Sequence, residues 1–244
     1  MLPSTPAPSP AAPAPPGLLA ELRSLAWRLA GVTAFRYACY AAMTALALWA
    51  ERRPAPTVPD VVIAHLPYVL WVDHLNYLAW VAFYVPLGVA FLLTEPRRWM
   101  RYMVAGGLVS LLRGLTIAMT GLGAPDPVHA GPGIGHASFG AAFAQLLSPI
   151  GVFVHGAANL YLTKDLFFSG HTATTFLLVL YLWRRPRLKW VALLAHLVAV
   201  ASVLFAHLHY LIDVAGAYAF TFSVYALFEW RPKASPRMVT GDGA

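Results

Sequence analysis

Ser169-Gly170-His171-Thr172-Ala173-Thr174-Thr175-Phe176-Leu177-Leu178-Val179-Leu180-Tyr181-Leu182-Trp183-Arg184-Arg185 is the stretch on which the reading of this chain turns. A small polar block with one histidine opens onto an apolar run, and the run closes on two arginines. An apolar segment ended by cations reads as a helix that crosses a bilayer. A second stretch repeats the design. His209-Tyr210-Leu211-Ile212-Asp213-Val214, continuing to Ala217-Tyr218, also sets a histidine at the mouth of an apolar run and adds an aspartate four residues on. On a helix, positions i and i+4 share a face, so Asp213 is placed to touch and orient the His209 ring. Two histidines and a carboxylate supply a nucleophile, its orienting partner and a proton donor.

The rest of the composition agrees with a membrane protein. Of 244 residues, 59% are hydrophobic and only 11% charged, with a mean hydropathy of +0.63. Soluble domains carry about 25% charged residues. The expected fold class is therefore all-α: a polytopic membrane protein with a six-helix transmembrane bundle, at about 20 residues per span. The single cysteine, Cys39, lies in an apolar run, so it forms no intramolecular disulfide and no cysteine-based metal site. The N-terminus opens with proline rather than a basic-then-apolar leader, and the first span is expected to act as an uncleaved anchor.

Working along the chain, residues 1–16 are almost entirely Pro, Ala and Ser and read as a disordered tail. Residues 17–230 form the expected membrane domain, and 231–244 a cytoplasmic tail. Leu18, Leu19, Leu22, Leu25, Trp27 and Leu29 beside Glu21, Arg23 and Arg28 predict an N-terminal interfacial amphipathic helix. Spans are expected at 31–50, 74–93, 102–122, 169–183, 190–206 and 210–228. The stretch 61–72 is too short to span and is assigned to the interface. Residues 137–153 are apolar enough for a further span but are read as interfacial or re-entrant, because a seventh crossing breaks the charge pattern.

That pattern also explains the net charge of +7. With the N-terminus inside, Arg23, Arg28, Arg36, Arg97, Arg98, Arg101, Arg184, Arg185, Arg187, Lys189, Arg231, Lys233 and Arg237 fall on the inner side. Only Arg52, Arg53 and Lys164 fall outside, with Arg113 within a span. This is the positive-inside asymmetry, and it needs no nucleic-acid partner. The same topology brings Asp60, Asp165, His171, His209 and Asp213 to the outer ends of their helices.

Ser-Gly-His-Thr followed by His-Tyr-x-x-Asp-Val resembles the sphingomyelin synthase branch of the PAP2-like lipid phosphatase and phosphotransferase superfamily. In that branch the first block reads Cys-Gly-Asp-x-x-Tyr/Phe-Ser-Gly-His-Thr, and the second His-Tyr-Thr-x-Asp-Val-x-x-Ala-Tyr. Asp165, Phe168, Ser169, Gly170, His171 and Thr172 match the first; Thr163 and Lys164 replace its Cys-Gly. His209, Tyr210, Asp213, Val214, Ala217 and Tyr218 match the second, with Leu211 in place of Thr. Upstream, Pro59-Asp60 resembles the end of a Pro-Leu-Pro-Asp block, while Arg97-Arg98 and Arg113-x-x-Thr116 resemble the two ends of an arginine block whose spacing differs here by about three residues. The Lys-x6-Arg-Pro block of the wider phosphatase family has no match, and Val203 stands where its Ser-Arg-x5-His-x3-Asp block has arginine.

The resemblance implies a nucleophile at His209, an orienting carboxylate at Asp213 and a general acid and base at His171. It further implies phosphate or substrate contacts at Arg113, Asp165, Ser169, Thr172, Asp60 and Tyr210, with membrane lipids as partners, no nucleic acid and no cofactor. Alternatives stay open for these residues: Arg113 snorkelling or pairing with Asp60 or Asp165, and helix capping by Asp165, Ser169 and Thr172. The activity implied is transfer of a phospho-alcohol headgroup from a glycerophospholipid to ceramide or another lipid hydroxyl. A hydrolase with the same residues is the first rival and a non-catalytic lipid transporter the second. The Ala- and Arg-rich composition suggests a high-GC bacterium, hence an inner membrane with the site on its outer face. His129, His136, His155 and His207 match no compact metal-ligand spacing and are read as ordinary loop or interface residues, so no metal is expected. Tyr68, Trp71, Tyr77 and Trp80 are read as an interfacial belt, with a cation–π pocket for a quaternary amine as the alternative.

Overall fold

The computed structural model describes residues 17–131, 133–148 and 162–229. The expected tails 1–16 and 231–244, and His155, lie outside the described residues. Within them the chain is all-helical: α1 Leu18–Glu51, α2 Leu70–Thr94, α3 Pro96–Met119, α4 Phe139–Leu147, α5 Gly170–Leu182, α6 Leu188–Phe205 and α7 Leu211–Glu229, with a 3₁₀ turn at Ile63–His65. Helices α2, α3, α6 and α7 are long and apolar enough to cross a membrane; α5 is apolar but shorter, with 13 residues. The chain is a polytopic membrane helical bundle.

Five of the expected spans fall on α2, α3, α5, α6 and α7 to within a few residues. The first span needs a correction. The interfacial helix expected at 18–29 and the span expected from 31 are one continuous helix of 34 residues. No proline stands between Leu29 and Gly31, and a lone glycine costs only about 1 kcal/mol against strong helix formers on both sides. At 1.5 Å per residue α1 extends about 51 Å, well beyond the roughly 30 Å hydrocarbon layer. Leu19 and Trp27 in its N-terminal part are left uncovered by the rest of the bundle, 73% and 91% exposed. The stretch assigned to the interface at 61–72 holds the 3₁₀ turn and the start of α2. Helix α4, nine residues started by the Ser138 cap, is about 14 Å long and too short to cross; residues 149–153 of that predicted segment lie outside the described residues.

Small residues set the packing of α1 on α3. A Cβ at Gly114 would lie 2.7 Å from the Met43 backbone, and one at Gly107 would lie 2.9 Å from the Phe35 ring. Close backbone approach over small residues is how helices gain contact where lipid removes the hydrophobic drive. Helix α5 sits centrally against α3, α6 and α7, while α2 packs on α6. Phe91, Tyr102, Phe168, Leu177, Leu178, Tyr181 and Leu182 fill the core between them, all 2% exposed or less. Several polar groups in this layer are paired: Arg36 donates to Tyr84 Oη at 2.7 Å, Tyr84 meets Tyr102 at 2.6 Å, and His196 bridges Thr175 and Tyr218 at 2.8 Å each.

The chain's up-and-down course separates two kinds of chemistry. One end of the bundle gathers Glu21, Glu95, Arg97, Arg98, Arg101, Arg185 and Glu229 in ion pairs. The opposite end gathers His171, His209, Asp213, Asp60 and Asp165.

Candidate active site

Two helix starts make the site. Ser169 caps α5: its Oγ accepts from the Thr172 N–H at 3.4 Å and from the Thr172 hydroxyl at 3.0 Å. This leaves His171 in the first turn of α5. Gly170 is needed beside it because the Arg113 guanidinium passes so close that a Cβ there would lie 3.1 Å from Cζ. On the second start, His209 Nδ1 lies 3.2 Å from Asp213 Oδ2, and the same oxygen accepts the Tyr210 N–H at 2.9 Å. The i,i+4 spacing therefore yields the His–Asp pair expected from it.

The blocks are joined directly. The Ser169 N–H donates to the Asp213 carbonyl at 3.1 Å, so the cap of α5 rests on the first turn of α7. Gly216 permits this approach, since a Cβ there would meet the Phe167 ring at 2.7 Å. Asp213 is wholly buried and His209 6% exposed. Asp213 Oδ1 and His171 Nε2 are buried with no hydrogen-bond partner among the described residues. A buried carboxylate oxygen and ring nitrogen left open are costly unless a ligand completes them. His171 lies within electrostatic reach of both His209 and Arg113. The Trp80 ring presents to it edge-on at 5.3 Å and is itself held by Nε1 donating to Thr174 Oγ1 at 3.1 Å.

Arg113 and Thr116 hold the loop that delivers α5. Arg113 Nε donates to the Phe168 carbonyl at 2.6 Å and Nη2 to the Asp165 carbonyl at 3.0 Å, while the Thr116 hydroxyl donates to the Phe167 carbonyl at 2.9 Å. The Arg-x-x-Thr spacing puts both on one helical face toward that loop. Arg113 Nη2 also pairs with Asp165 Oδ1 at 2.9 Å, an ion pair without hydrogen-bond alignment, and Nη1 reaches Met43 Sδ at 3.2 Å. The pairing alternative weighed for Arg113 is thus the arrangement found.

The Asp60 and Tyr210 side chains bond backbone groups around the start of α7 and the neighbouring loops. Asp60 Oδ2 accepts the Leu211 N–H at 2.7 Å and so caps α7 from another part of the chain. Its Oδ1 accepts from Val62 and Ile63 at 2.8 and 3.0 Å. Burial pushes the Asp60 pKa up, but the N–H groups of Ile63, Leu211 and Val62 together outweigh that and hold it below the ordinary carboxylate value. The Tyr210 hydroxyl, 1% exposed as a residue, donates to Gly123 O at 2.8 Å and accepts from Val58 N at 3.2 Å.

The sequence places Trp80 in an interfacial belt, with a cation–π pocket as the alternative, and gives no sign that it contacts His171. Its helical spacing matched that of any interfacial aromatic, and only the tertiary fold places it on His171. Of the other expected belt residues, Trp71 is exposed at 67%, while Tyr68 stacks on His129.

Residues 164–231 match the family described as PAP2 superfamily C-terminal. The matched segment contains both histidine blocks and covers well under half of the chain. No curated protein matches the sequence. The match supports the PAP2-like superfamily and a lipid enzyme of phosphatase or phosphotransferase type.

Proposed function

We propose that the chain is a lipid phosphotransferase that moves a phospho-alcohol headgroup, phosphocholine or phosphoethanolamine, from a glycerophospholipid to ceramide or another lipid hydroxyl. The observation that carries this reading is the junction of the His209–Asp213 pair with the His171 turn through the Ser169–Asp213 backbone bond.

Asp213 occupies Nδ1 of His209 and leaves Nε2 to attack phosphorus. The N–P bond forms as the bond from phosphorus to the diacylglycerol oxygen breaks, and His171 gives that oxygen its proton. His171 then takes the proton of the acceptor hydroxyl, whose oxygen attacks phosphorus and releases His209. Asp213 holds the tautomer and balances the charge on the ring, as in other His–carboxylate pairs. The starts of α5 and α7 add two helix dipoles that favour the phosphate. Arg113 adds positive charge from behind the loop it holds, and the substrate phosphodiester supplies the negative charge that a protonated His171 needs there.

The burial of His209, Asp213 and His171 Nε2 favours a lipid acceptor over bulk water. The outward-facing site rests on the inner-side excess of Lys and Arg, and the bacterial inner membrane on the Ala- and Arg-rich composition. The test is purified protein in detergent with fluorescent ceramide and mixed phosphatidylcholine and phosphatidylethanolamine. A ceramide-dependent phospholipid product, absent from His209→Ala, is expected. Diacylglycerol formed equally without ceramide would replace the transferase with a hydrolase.

A further inference from the structure

We propose that Asp126, His129 and His207 form a divalent-metal site of the zinc class, separate from the two catalytic histidines. The three come from two parts of the chain: a loop after α3, and the turn between α6 and α7 that presents His209. Their ligand atoms all lie within 4.8 Å of one another. His129 Nδ1 and His207 Nδ1 converge on one oxygen, Asp126 Oδ2, at 2.7 and 2.8 Å. Two imidazoles and a carboxylate are a donor set that suits zinc and its neighbours rather than magnesium or calcium, which take oxygen ligands.

The hydrogen bonds of His207 point the same way. A neutral imidazole carries one N–H, yet both ring nitrogens face oxygen acceptors: Nδ1 faces Asp126, and Nε2 lies 3.1 Å from the Leu66 carbonyl. With its proton on Nε2, bonded to that carbonyl, Nδ1 turns a lone pair toward a carboxylate. A cation between them resolves the conflict, and a backbone carbonyl behind the ring is the usual partner of a metal-bound histidine. The backbone at His207 is held at φ +52°, in the left-handed region that few residues other than glycine adopt, with asparagine, aspartate and histidine the commonest of them. Tyr68 stacks on the His129 ring at 3.8 Å and 13°, fixing its plane.

Tetrahedral zinc with bonds of about 2.0 Å separates its ligand atoms by about 3.3 Å, so each imidazole–carboxylate separation widens by roughly half an ångström on binding. His129 can supply that movement because it sits on a loop with its side chain 39% exposed. That exposure also leaves room for water as a fourth ligand. A bound ion would clasp the loop after α3 to the turn that carries His209.

The test uses tag-free, full-length protein in detergent, stripped with a chelator and titrated with Zn²⁺ against a chromogenic chelator. One equivalent per chain is expected, bound at least tenfold more weakly in His129→Ala and in Asp126→Asn. His136→Ala, a loop histidine outside the cluster, is expected to bind as the native chain does. Zn²⁺ is also expected to raise the Tm of the native chain and not that of His129→Ala. Absence of binding, or equal binding in all four proteins, would overturn the site and leave Asp126 simply as the hydrogen-bond partner of His129 and His207.

Discussion

The two ends of the bundle use similar residues to opposite effect. At one end Glu21–Arg97, Glu95–Arg98 and Arg101–Glu229 meet at 3.2, 3.6 and 3.2 Å, and water reaches at least one partner in each. Pairs of this kind contribute about 0–1 kcal/mol, so the arginines matter there mainly for how the helices sit across the membrane. At the other end, Asp213 is wholly buried, one of its oxygens has no hydrogen-bond partner among the described residues, and the same holds for Nε2 of His171. Leaving buried polar groups open costs stability, and such exceptions collect where a substrate completes them. The basic end thus holds partly exposed ion pairs, and the histidine end holds buried groups that a substrate can complete.

The comparison can be broken most severely at the catalytic rings. His209→Ala and His171→Ala are each expected to lower turnover by about 10³-fold or more while the circular dichroism spectrum stays helical. Turnover within tenfold of the native chain in either variant would remove the chemical reading of this end.

Arg113→Met comes next and separates positioning from catalysis. It strands the Asp165 carboxylate and the carbonyls of Asp165 and Phe168, and breaking a buried pair costs about 3–5 kcal/mol. At about 2–4 °C per kcal/mol, the Tm by scanning fluorimetry should fall by roughly 10 °C. Arg113→Lys should recover little, because an ammonium cannot span both carbonyls.

Asp60→Ala should cost about 1 kcal/mol, or a few degrees, as the loss of a helix cap does. Because its pKa is lowered by folding, the stabilisation from Asp60 is present above the unfolded value and is lost as pH falls through the folded one. The native Tm should therefore decline below about pH 4 more steeply than that of Asp60→Ala. The smallest effect is expected at the basic end: Arg97→Ala should leave turnover unchanged and alter stability by no more than about 1 kcal/mol.

Much of this contrast was legible in the sequence because it depends on local spacing. His209 and Asp213 are one helical turn apart, and the apolar runs after Ser169 and Tyr210 are α5 and α7 nearly to the residue. Arg97, Arg98, Arg101 and Arg185, grouped by the charge pattern, do gather at one end of the bundle, because each adjoins its own apolar run. What the sequence left open was tertiary. Arg113 had three candidate fates, and its pairing with Asp165 depends on how α3 meets a loop 52 residues away. Tyr210 was grouped with substrate contacts, yet its hydroxyl bonds Gly123 across 87 residues of chain. The continuity of α1 went unread because a change from amphipathic to apolar was taken for a helix boundary, although nothing there interrupts the backbone ladder. His129 and His207 form no chain motif, and only folding brings them to Asp126.

The central claim is that His209 carries the transferred group. Purified protein incubated with a glycerophospholipid donor and no acceptor, then digested at neutral to alkaline pH and analysed by mass spectrometry, tests it directly. A phospho-alcohol adduct on His209 that disappears when ceramide is added is the expected result. Product formation with no adduct at His209, or with the adduct on His171, would contradict it.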